Sequence, residues 1–147
     1  MGNRYTVEFS GTPVSPNDFV TCISGTNRRI RILRVDVSGA GSSSAAQGLK
    51  LARSTLGTTP GGAITPSKSE HSDQLVANFT TATTWVAQPT IEANGYMIGY
   101  NALGPGQWQA NAKTPTLEAR NGENISLRAL AGFTYQACKI SLLIEED

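Results

Sequence analysis

The chain has 147 residues, 39% of them apolar and 16% charged, with Gly 15, Pro 7 and a formal net charge of +1. That length gives one domain with a real core, and the low charge excludes a disordered chain while the modest apolar share suits a thin two-layer β fold. The near-zero net charge supplies no field for nucleic acid or an acidic membrane surface, so neither is expected as a partner.

In chain order, Met1-Gly2-Asn3-Arg4-Tyr5 holds no apolar core of a secretory signal, and no later run is long enough to span a bilayer. Arg4 to Ser10 alternates, with Tyr5, Val7 and Phe9 on one face, which predicts a half-buried strand. Gly11-Thr12-Pro13 and Ser15-Pro16-Asn17-Asp18 break it, so residues 1–18 read as an N-terminal strand or an extended arm, with the main domain over 19–147. Phe19 to Ile23 is a short strand.

Arg28 to Ser38 carries the strongest strand signal. Ile30 and Ile32 share one parity while Val35 and Val37 share the other, so a β-bulge near Leu33 is expected to bring all four to one side. Arg29, Arg31, Arg34 and Asp36 then line the opposite, solvated or partner-facing side.

Gly39 to Gly48 has loop composition, and Gln47 to Thr55 is a strand with Leu49 and Leu51 in phase. Ser54 to Gln74 reads as one long loop with a short strand at Ala63, Ile64 and Thr65; loops this long are uncommon inside compact domains and usually functional. Leu75 to Phe79 and Thr80 to Ala87 give one or two strands, anchored by Trp85.

Asn94-Gly95 and Asn121-Gly122 are two-residue turn signals, and the second predicts a hairpin in which Leu117 pairs with Ile125 or Leu127. Gln107-Trp108-Gln109 is short and aromatic. The last strand, Tyr135 to Glu145, places Cys138, Ile140, Leu142 and Ile144 on one face and stops in acidic residues that discourage edge pairing. Cys22 and Cys138 sit in apolar strand contexts and are expected as buried thiols.

Roughly eight to ten short strands at this spacing predict an all-β antiparallel sandwich. The long excursions favour a single jelly roll of about eight strands over an up-and-down barrel.

Catalytic constellations are not found in the sequence, and no enzyme activity or cofactor is expected. A cupin-type metal site needs several histidines, and His71 is the one histidine, beside Glu70 and Asp73 in a polar loop. A serine hydrolase would need the same His71 as base, and Gly41-Ser42-Ser43-Ser44-Ala45 fails the nucleophile-elbow pattern at its last position. Trp85, Tyr96, Tyr100 and Trp108 are candidates for a sugar-stacking platform or, alternatively, for core and subunit contacts.

The run Leu51-Ala52-Arg53, then Gly57 to Pro66 (G-T-T-P-G-G-A-I-T-P), and the run Pro115 to Arg128 (P-T-L-E-A-R-N-G-E-N-I-S-L-R) with an acidic-ended last strand, are similar to a pattern in small virion proteins of tailed bacteriophages. The chain from Arg28 to Glu146 resembles the jelly-roll head decoration, or cement, proteins. The resemblance implies a homotrimer on the capsid exterior, assembled in the host cytoplasm, with the major capsid protein as partner and no catalytic residues.

The interface residues expected on this reading are Tyr5, Phe9, Arg29, Arg31, Arg34, Thr59, Ile64 and Trp108. The capsid contact is expected from the N-terminal arm or the Ser54 to Gln74 loop. Two other readings stay open: a glycan-binding head-fibre or tail module, and a main single-jelly-roll coat subunit.

Overall fold

A computed structural model describes residues 2–69, 75–111 and 117–147. Among them are thirteen strands and no helix. They are β1 (Asn3–Gly11), β2 (Asp18–Ile23), β3 (Arg29–Gly39), β4 (Ala46–Ser54), β5 (Thr58–Gly61), β6 (Ser67–Lys68) and β7 (Thr80–Ala82). Then follow β8 (Thr84–Ala87), β9 (Tyr96–Asn101), β10 (Pro105–Gln109), β11 (Leu117–Arg120), β12 (Asn124–Ala129) and β13 (Cys138–Glu146).

Two antiparallel sheets pack as a sandwich. The first runs β10-β3-β13-β1-β6, with β11 also beside β3; the second runs β7-β2-β12-β4-β9. Four antiparallel pairs are nested in the sequence: β1 with β13, β2 with β12, β3 with β10, and β4 with β9. Successive pairs fall in alternate sheets, and β13·β3 and β12·β4 zip each sheet together. A long double strand has in effect been folded back and forth across one core.

The period-two pattern explains the core. Tyr5 and Val7 of β1, Ile30, Ile32, Val35 and Val37 of β3, and Cys138, Ile140, Leu142 and Ile144 of β13 are buried against Leu49, Leu51, Ile98, Ile125 and Leu127 of the second sheet. In β3 the parity change is real. Arg34 lies opposite Leu143 and Ile32 opposite Ile144, so Leu33 is the extra, unmatched residue of a bulge, and all four branched residues face inward. β1 pairs with β13 along all nine of its residues, so Asn3 to Gly11 is a sheet strand and not a departing arm.

Both Asn-Gly signals lie elsewhere than between paired strands. Asn121 (φ 51°) and Gly122 (φ 87°) do make a tight turn, closed by Glu123 N–H to Arg120 C=O at 2.9 Å. The strands it joins then part: Leu117 pairs with Ile32 in the first sheet, while Ile125 lies between Cys22 and Arg53 in the second. Each strand has an inward apolar face, and β3 and β2 offer open edges on different sheets, so the turn becomes a corner.

Asn94 and Gly95 are not at positive φ. Ile91 and Tyr96, on either side, bond to the same strand, at Ser54 and Leu51, so the segment bulges off β4.

The Ser54 to Gln74 stretch also differs from a plain loop. It holds β5 and β6, while Ala63 to Thr65, expected as a strand, is irregular; Ile64 instead bonds through its backbone to the Thr81 hydroxyl. The Glu70, His71 and Asp73 group lies outside the described residues.

Candidate interaction surface

Charge is distributed very unevenly along this chain. The longest runs with no Asp, Glu, Lys, Arg or His are residues 93–112, 75–91 and 54–67. The fold brings the last two together. β5 and β8 form a two-stranded ribbon, Thr55 and Thr90 exchange hydrogen bonds, and Ile64 is tied to Thr81. This ribbon forms a third layer over the outer face of the second sheet.

What fastens it is a buried polar seam. On β12, Ile125, Leu127 and Ala129 face the core, so Asn124, Ser126 and Arg128 face outward beneath the ribbon. Asp18 is fully buried: its carboxylate takes hydrogen bonds from the Thr21 and Ser126 hydroxyls and from Arg128 Nε at 2.7 Å. Ser54 and Ser126 share a hydrogen bond. From the ribbon side, Trp85 Nε1–H donates to the Thr21 hydroxyl at 3.0 Å, Gln88 Oε1 accepts from the Asp18 amide, and the Pro89 carbonyl accepts from Arg128. Every ionised oxygen of Asp18 thus has partners, which is what allows a carboxylate to be buried at all.

The outer surface of this layer is open and uncharged, and it carries two of the exposed large apolar side chains. Val86 is 78% exposed and Leu56 65%, with Thr58, Thr59 and Pro60 exposed between them. Thr59 sits at φ 50°, a left-handed conformation that a β-branched residue rarely adopts. Strain of this kind clusters at binding segments.

The opposite face of the sandwich is the reverse in character. Arg29 pairs with Asp147 and Glu118, and Arg31 with Glu118 (3.1 Å), Glu145 and Asp147 (both 2.9 Å). Arg34 pairs with Asp36 at 2.8 Å, and Lys139 with Glu8 at 3.6 Å. Arg29 and Arg31 are engaged by the acidic end of the chain and by Glu118 of β11, and Arg34 by Asp36 of its own strand.

The Arg29 hydrogen bond holds the Asp147 carboxyl below its usual range, with Arg31 adding to the effect. A depressed carboxylate contributes stability above the unfolded-state value and loses it as pH falls through the folded one. Urea midpoints should therefore drop on going from pH 7 to about pH 3, and Asp147→Asn should show a smaller drop than the native chain.

The other expected contact residues divide by burial. Tyr5 is a core residue, its hydroxyl donating to the Leu75 carbonyl at 2.7 Å and its ring edge-on to Phe79, so its side chain offers nothing to a partner. Trp108 is likewise buried, 5.1 Å from the Tyr96 ring, and Trp85 and Tyr100 are buried too. The sugar-stacking platform is therefore corrected to packing: a stacking face needs exposure, while Tyr100 and Trp108 lie in the core and Trp85 is buried between the second sheet and the ribbon. Phe9 is half-buried against Phe19, Ile64 is half-buried, and Thr59 alone of the set lies on the exposed ribbon.

Cys22 and Cys138 are buried free thiols, and burial pushes the Cys22 thiol up to about 12. Among the described residues no group of His, Cys, Asp and Glu is placed to hold a metal.

Sequence reasoning passed over Asp18 and Arg128, because a turn aspartate and an alternating arginine read as solvated. The absence of charge over 54–67 and 75–91 was a partial signal of the layer, shared with 93–112, which supplies β9 and β10 of the main sheets. Comparison of the chain with protein-family models, with curated proteins and with solved structures finds no match.

Proposed function

We propose that this chain is a jelly-roll structural protein of a tailed-phage virion, which decorates and stabilises the capsid exterior by binding between capsomers as a small oligomer. The observation that carries the reading is the uncharged third layer with Val86 and Leu56 exposed on it. Depletion of charge at the centre of a patch marks protein interfaces.

The nested strand pairs support the jelly roll: first beside last, second beside penultimate, alternating between two sheets. The likeness of Gly57 to Pro66 to the decoration proteins falls on β5 of the same layer. In this role the protein binds closed shells and not opened ones, so its binding energy adds to the free energy of shell opening.

Negative-stain microscopy of the purified chain, alone and mixed with capsids assembled without it, tests the proposal. Small soluble particles that coat the capsids are expected. Closed shells formed by the chain alone would point to a main coat subunit, and bare capsids would end the decoration reading.

A further inference from the structure

The first sheet has an unfinished edge. β1 is flanked by β13 throughout, but on its other side the two-residue β6 covers only Tyr5 and Thr6. The chain before Ser67 then leaves for the opposite sheet, where Ile64 is held by Thr81. Ser69 N–H donates to the Arg4 carbonyl, which fixes the parity of this edge. In an antiparallel strand the hydrogen-bonding groups of alternate residues point to alternate sides. Arg4 and Thr6 therefore point toward β6, and Glu8 and Ser10 point their N–H and C=O groups to the same side, beyond the end of β6, where no described strand lies.

Beside this edge is a cleft of about 340 Å³ lined by Phe9, Phe19, Val14 and Trp85, with Thr12 and Asn17 among its polar residues. Its one ionised residue, Asp18, is consumed by Arg128.

Of the devices that keep a sheet edge from pairing, Glu8 to Gly11 has no proline, no bulge and no inward-pointing charge; its one charge is Glu8. Glu8 points outward and is offset by Lys139.

We infer that two copies of this chain join through the β1 edge, pairing Glu8 to Ser10 antiparallel about a two-fold axis to make one continuous sheet. The edge is self-complementary. Centred on Phe9, the register sets Glu8 of one copy opposite Ser10 of the other, so like charges are not opposed and both pairs of outward backbone groups are satisfied. It also sets Phe9 opposite Phe9, where the two half-buried rings close over the clefts. The contact is isologous and makes dimers, unlike the threefold ring that the family resemblance implies. It rests on the fold alone and not on the virion reading.

Amide hydrogen exchange on the purified full chain, read alongside sedimentation equilibrium, tests it. The expected result is a reversible dimer whose Glu8 and Ser10 amides slow about tenfold from dilute to concentrated solution, by mass action, while the Val7 and Phe9 amides are already slow at both. Ser10→Pro removes an N–H that faces away from β13, a position where an edge strand tolerates proline, and should weaken the dimer about tenfold or more. A chain that stays monomeric with both amides fast at every concentration would overturn the inference. So would an oligomer in which they remain fast, or protection that appears only when another protein is added. Capsid occupancy is measured separately, so either reading can fail without the other.

Discussion

Replacing Arg128 by alanine should lower the stability of the folded chain by about 3–5 kcal/mol, the usual cost of stranding a buried charge. The Asp18 side chain has no exposure to water, and Arg128 has little. With Arg128 gone, the carboxylate keeps the Thr21 and Ser126 hydroxyls but loses the only cation among its described partners, and the Pro89 carbonyl loses its donor. The comparison that isolates the cause is Asp18→Leu with Arg128→Met. Replacing both members by apolar groups of similar size removes the stranded charge, and the double variant should be more stable than Arg128→Ala. Urea denaturation followed by tryptophan fluorescence gives all the midpoints. Equal losses in the single and double variants would mean that the pair is not what fastens the ribbon.

Trp85→Ala should cost about 3–5 kcal/mol, whereas Val86→Ala, one residue on, should fall within about 0.5 kcal/mol of the native chain. Trp85 is buried on the second sheet with its indole N–H on Thr21, while Val86 points away into solvent. The difference between neighbours measures the ribbon's attachment directly: it is held from beneath by one large ring and the seam around Asp18, and its outer face contributes nothing to the fold.

Much of the sandwich was legible from alternation alone. β1, β3, β4 and β13 follow their period-two patterns, and the Leu33 bulge follows from a parity change that only an inserted residue can repair. The failures share one cause. Turn chemistry fixes the local bend but not the partner of the strand that leaves it. Asn121-Gly122 bends the chain as its residues dictate, yet Leu117 and Ile125 go to different sheets because open edges on β3 and β2 claim them.

The same limit hid the candidate surface. β5 and β8 lie apart in sequence and carry weak strand signals, and only their pairing turns two neutral segments into one layer. Aromatic residues misled in the other direction: Trp108 and Tyr5 are expected at an interface on the resemblance, and burial assigns them to the core.

Occupancy of capsids by two charge variants tests the central claim most directly. Val86→Asp places a carboxylate at the centre of the uncharged layer, and Lys139→Asp reverses a charge on the opposite, already charged face. Neither should change the fold, since both side chains are exposed. Co-sedimentation should show Val86→Asp binding about tenfold or more weakly than the native chain, as a desolvated unpaired charge requires, with Lys139→Asp close to native. Native occupancy by Val86→Asp together with loss in Lys139→Asp would mean that the charged face, and not the third layer, meets the capsid.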